Sequence, residues 1–103
     1  MPALRYLSFE LHEDADGVLA LEAMASTDAA RHADVRAEVE RVLDWARTRF
    51  PHTHGPVEEG LDWDDDLQVQ VEADGWHALT LTLTGSRRFV DELMAQFDGA
   101  AAD

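Results

Sequence analysis

Two histidines and a run of carboxylates are the residues of this chain best suited to chemistry. His52-Thr53-His54 is followed by Glu58, Glu59, Asp62, Asp64, Asp65 and Asp66. Imidazole with carboxylate suits Zn²⁺ or another divalent metal, and His52, His54, Glu58 and Asp62 are the ligand set this stretch offers. The spacing matches no metal motif, and ligand types without fixed geometry do not make a site. A solvated polar loop is the plainer reading, so no cofactor is expected beyond that one metal alternative. Asp62, Asp64 and Asp66 also imitate the opening of a calcium loop. Leu67 stands where the sixth-position Gly is required and Ala73 where the final Glu is required, so that reading fails.

A second candidate is Ser86-Arg87-Arg88 at the start of a helical pattern. Arginine there opposes the helix dipole. An anion held by the free amides and both guanidinium groups would account for the choice. The competing account is pairing with the chain's own carboxylates, and the glycine-rich loop that usually cradles phosphate is absent.

Catalysis has little support. There is no Cys, no nucleophile elbow, no paired-histidine zinc helix and no dinucleotide fingerprint. His77 and Glu72 flank a turn and form the one acid–base pair in view, but no perturbing environment is legible around them. The domain is read as non-enzymatic.

Charge narrows the partners. In 103 residues, 22 acidic side chains face eight basic ones, all arginine, for a net charge of −14. A nucleic-acid backbone or an anionic membrane surface would repel such a chain. A basic protein, a cation, or solubility alone remains compatible with it. Lys, Ile, Asn and Cys are all missing. The first three have AT-rich codons, which points to a GC-rich, prokaryotic genome; halophilic adaptation is the alternative source of the acidity. Without cysteine there is no disulfide or thiolate site. No basic-then-apolar leader opens the chain and no run reaches the roughly 20 apolar residues of a membrane span, so the cytoplasm is the expected location.

The elements that must position these residues follow from periodicity. Residues 3–12 alternate, with Leu7, Phe9 and Leu11 on one side and Tyr6, Ser8, Glu10 and His12 on the other. Residues 18–25 resume the alternation after a Gly17 turn, and pairing Leu11 with Leu19 puts Phe9 opposite Leu21 and Tyr6 opposite Met24. Ser26-Thr27-Asp28 caps a long amphipathic helix that Pro51 ends. Residues 51–66 read as an irregular acidic connector. Residues 67–84 read as a hairpin. A two-residue Asp-Gly turn would mix its faces, whereas a three-residue loop, Ala73-Asp74-Gly75 with Gly75 left-handed, pairs Val69 with Leu79 and Leu67 with Leu81. Ser86 caps a last helix carrying Phe89, Val90, Leu93, Met94 and Phe97, with Gly99 as its expected C-terminal cap and residues 100–103 as a frayed tail.

The expected fold is one α+β domain over residues 1–103. It is a two-layer β-β-α-β-β-α sandwich, a four-stranded mainly antiparallel sheet with both helices on one face. A strand order of 2-1-3-4 makes every neighbour antiparallel. The uncovered face then presents Tyr6, Met24, Gln68, Gln70, Trp76, Thr80 and Thr82. Tyr, Trp and Met are enriched at interfaces. The expected function is therefore a protein-interaction or self-associating module using that face, with a protein partner or a homodimer as its target. Metal or anion binding at the two sites above is the alternative.

Overall fold

A computed structural model describes residues 4–15, 17–55 and 59–97. The strands are β1 (Glu10–Glu13), β2 (Leu19–Thr27), β3 (Trp63–Val71) and β4 (His77–Gly85). The helices are α1 (Ala29–Arg49) and α2 (Arg87–Phe97). The strands form one sheet in the order β1-β2-β4-β3, antiparallel at every pairing. Leu19, Leu21 and Ala23 of β2 and Leu79, Leu81 and Leu83 of β4 are buried, while their alternate neighbours are not. Both helices cover that one face, so the domain is the expected α+β sandwich.

The strand order differs from 2-1-3-4. A central strand is flanked on both sides and gives its charged side chains little access to water. β1 carries Glu10, His12 and Glu13, and β3 carries three consecutive aspartates. β2 and β4 hold a single charged residue between them apart from His77, so they take the centre. Helix α1 then carries the chain from β2 past β4 to β3, and β2 and β3 run parallel with β4 between them.

The second hairpin has the register its faces demand. Leu67 pairs with Leu81, Val69 with Leu79 and Val71 with His77. The turn closes through Glu72 N–H to the Trp76 carbonyl at 2.8 Å, with Gly75 at φ 83°. β3 begins at Trp63 rather than Leu67, because β4 supplies partners for Asp64, Asp65 and Asp66 as far as Gly85. Cross-strand pairing overrides the poor strand propensity of aspartate here. The connector is correspondingly shorter, and Trp63 is fully buried, stacked parallel to Phe89 with centroids 5.5 Å apart.

The first hairpin keeps its faces but slips by two residues: Leu11 pairs with Leu21 and Glu10 with Glu22. Asp14 sets this register. Its N–H donates to the Val18 carbonyl at 3.0 Å and its carboxylate accepts from Val18 N–H at 2.9 Å, which lengthens the connection. The strand read over 3–12 is also shorter than expected. Arg5, Tyr6 and Leu7 leave the ladder and donate their amides to Glu38 of α1, at 2.6, 3.0 and 3.1 Å. Leu7 and Phe9 remain buried.

The helix ends follow the cap residues. Asp28 accepts from Arg31 N–H at 2.9 Å and the Ser86 hydroxyl accepts from Phe89 N–H at 3.2 Å. Gly85 is packed so closely beneath Phe89 that a Cβ at this position would collide with the ring. Gly99 and residues 100–103 lie outside the described residues.

Candidate functional site

The open face of the sheet is a grid whose rows follow from the pairings. Reading β1, β2, β4, β3 in order, one row is Glu10, Glu22, Thr82 and Asp66. The adjacent row is His12, Ala20, Thr84 and Asp64. Toward the β3–β4 turn the rows change character. Met24, Thr80 and Gln68 form one, and Ser26, Ala78 and Gln70 the next. Trp76 follows just beyond, 41% exposed, and Met24 is 64% exposed. The face is therefore acidic at one end; toward the other, two rows are uncharged, with Met24 exposed, and Trp76 follows opposite Glu72.

Six of the seven residues expected on this face are there: Met24, Gln68, Gln70, Trp76, Thr80 and Thr82. Tyr6 is not. The bonds from residues 5–7 to Glu38 turn it toward α1, where it lines a surface cleft with Arg5, Asp34, Ala37, Glu38 and Arg41. Its packing is against the core, on the helix side.

At the acidic end, Ser8, Glu10, Glu22 and Met24 line an open hollow of about 230 Å³. His12 Nε2 lies 3.8 Å from a carboxylate oxygen of each of Glu10 and Glu22. Two glutamates directly opposite one another repel, and the imidazole between them lessens that cost when protonated. The expected register had hidden this trio by placing Glu10 across from Ala20.

The metal candidates separate. His54 joins β3 through an isolated bridge to Trp63, and its ring packs on that tryptophan at 4.2 Å. Its Nε2 lies 2.6 Å from Asp65 Oδ1 and 3.2 Å from Asp64 Oδ1. The imidazole is hydrogen-bonded to Asp65, while Asp64 Oδ1 accepts from the Asp65 N–H at 2.9 Å. His52 is exposed, in the left-handed region at φ 68°. Asp62 turns toward α2 instead: its carbonyl accepts from Ser86 N–H at 2.9 Å. Glu58 lies outside the described residues. Asp64 and Asp65 went unselected because nothing in the spacing showed that His54 bridges to Trp63, which brings them beside its ring.

At the α2 N-terminus, Arg88 Nε lies 3.3 Å from Glu92 and its guanidinium stands over the Phe50 ring. Arg87 lies 3.8 Å from Asp91. Glu92 also meets Arg49 at 2.6 Å, which ties the end of α1 to α2. Each arginine thus faces a carboxylate one turn further along its own helix, and Ser86 is engaged as the cap.

His77 faces the helices. Its ring stacks on His32 at 4.5 Å, and its Nδ1–H donates to the Gly75 carbonyl at 2.9 Å. His32 Nδ1 and Thr27 Oγ1 are buried beside this junction and find no hydrogen-bond partner among the described residues. Burial, then His77, then Arg36 lower the His32 pKa below its ordinary 6.5.

The outer edge of β3 is the remaining feature. Among the described strands β3 pairs only with β4, in an unbroken register of nine residues; on its outer side the 53–55 segment meets Trp63, and residues 65–71 have no such partner among the described residues. On the helix side Val69 is 38% and Val71 62% exposed, because α1 and α2 pack on β2 and β4. Fold and surface together define a two-layer α+β domain with an open sheet face, one short charged edge at β1 and one long edge at β3. Comparison with protein-family models, with curated proteins and with solved structures finds no match. No helix among the described residues is long and apolar enough to cross a membrane.

Proposed function

We propose that this domain is a non-catalytic protein-binding module that uses the open face of its sheet, and that its partner is basic. The division of that face supports the reading. Met24 supplies an exposed apolar anchor among uncharged Gln, Ser and Thr, and Trp76 a second one opposite Glu72. Aromatic and Met anchors of this kind carry much of the energy at protein interfaces. The neighbouring rows place Glu10, Glu22, Asp64 and Asp66 alongside. Carboxylates at the rim of a net −14 protein speed encounter with a cationic partner and disfavour a second copy.

Selection from a random displayed-peptide library tests the reading. Enriched sequences should combine Lys or Arg with apolar residues, and should lose binding to a Met24→Glu/Trp76→Glu double variant. Both side chains are exposed, so the variant keeps the fold. No enrichment, or enrichment indifferent to the double variant, would overturn the proposal.

A further inference from the structure

The two edges of the sheet are treated differently. β1 is four residues long and carries Glu10, His12 and Glu13. Short, charged edges resist addition of another strand. β3 is more than twice as long, and from Leu67 to Val71 it reads Leu-Gln-Val-Gln-Val, with no charge, no Pro and no bulge. Its outward backbone groups at Trp63 are held by Thr53 and Gly55, while those from Asp65 to Val71 pair with no strand among the described residues. Val69 and Val71 stand beside that edge with room above them on the helix side. Edge, register and exposed apolar ladder together are what strand addition requires.

Charge decides the occupant. Suppose β3 paired antiparallel with a second copy centred on Val69. Asp66 would then face Glu72, and Asp64 would face Asp74, each twice over. Centring on Gln68 sets Asp64 against Glu72, and centring on Gln70 sets Asp66 against Asp74. Centring on Leu67 avoids such contacts by setting Asp64 against Gln70 and Asp66 against Gln68, but it needs the outward groups of Trp63, which Thr53 and Gly55 already hold. The three registers centred within the free segment oppose like charges, which is destabilising across a ladder. We infer that the β3 edge accepts an extended segment of a different, basic protein, added antiparallel as a fifth strand. Apolar side chains of that segment lie opposite Leu67, Val69 and Val71, and Lys or Arg lies opposite Asp64, Asp66 and Glu72. The inference rests on the protein-binding reading and gives it a mode of engagement and a partner chemistry.

The probe is a synthetic peptide, Lys-Val-Thr-Val-Thr-Val-Lys-Thr-Lys, titrated into the intact, ¹⁵N-labelled domain. The expected result is shifts and slowed amide exchange along residues 63–71. Val71→Asp should weaken binding about tenfold although it adds a negative charge. Val71 is the most exposed apolar residue of β3, so the variant should fold normally, which its own amide spectrum verifies. Tighter binding by Val71→Asp would show that charge alone attracts the peptide, and overturns the inference. Shifts confined to Met24, Ala78, Thr80 and Trp76 would also overturn it while leaving the open-face reading intact. No binding overturns the edge reading, and the library selection then judges the face by itself. Concentration-dependent protection of β3 without peptide would make a second copy the occupant and overturn the choice of partner.

Discussion

Glu38 is one of two polar or charged residues buried among the described residues, and it holds the N-terminal segment to α1. Replacing it with Ala leaves three backbone amides without their acceptor. The Leu7 amide lies in a buried bond, and an orphaned buried donor costs about 1–3 kcal/mol. The Arg5 and Tyr6 bonds are only partly buried, so water takes over part of each, at about 0.5 kcal/mol apiece. The expected loss for Glu38→Ala is thus about 3 kcal/mol, a large share of the roughly 5–15 kcal/mol that stabilises a domain. Glu38→Gln keeps one carbonyl oxygen with two lone pairs and should lose about half as much. Urea unfolding followed by fluorescence measures both, since Trp63 is fully buried and Trp45 packs at the core. Amide exchange at residues 5–7 should quicken in the same order. If Glu38→Ala falls within about 0.5 kcal/mol of the parent, or Gln proves as damaging as Ala, the carboxylate is not what secures the segment.

Gly85→Ala should cost about 1–3 kcal/mol by overpacking, because Phe89 is hemmed in by Trp63, Phe50 and Trp45 and cannot yield; thermal unfolding checks this. Gly75→Ala meets no atom and should cost only the left-handed penalty of about 1 kcal/mol, with Gly75→Asn less damaging; equal losses for the two would refute a conformational cause. His32 has a lowered pKa in the fold, so the unfolded chain takes up the proton more readily. Stability should therefore be full above the ordinary value of 6.5 and fall as pH drops below it toward the lowered folded pKa. His32→Gln should flatten that part of the stability–pH curve, and an unchanged curve would remove His32 as its source.

Local patterns were legible and long-range choices were not. Asp28 and Ser86 announced both helix starts because a cap is decided within three residues of chain. The β3–β4 register was legible because one wrong step would have turned Leu79, Leu81 and Leu83 outward. The β1–β2 slip moves pairs by two residues and keeps every face, so alternation could not detect it. Strand order depends on which strands tolerate having neighbours on both sides. The aspartates of β3 and the charges of β1 carried that signal, but the aspartates were read as loop. The consequence for the site was direct. Met24, Trp76 and the threonines could be assigned to a face, while the bare edge could not be assigned until β3 was known to be outermost. Glu38 was invisible for a similar reason: its spacing on α1 resembled a solvated position, and only the departure of residues 5–7 from the ladder buries it.

The bare edge also changes what the acidity of this chain is for. Asp64, Asp66, Glu72 and Asp74 bracket the one segment on which another β3 could assemble. Their repulsion acts over short distances and weakens as salt shortens the screening length to about 3 Å near 1 M. With those four carboxylates screened or replaced by amides, the same geometry would let two β3 edges join about a two-fold axis into one eight-stranded sheet, ended on both sides by the short, charged β1. Whether the sheet ends at four strands or at eight is then decided by a handful of charged side chains at its border.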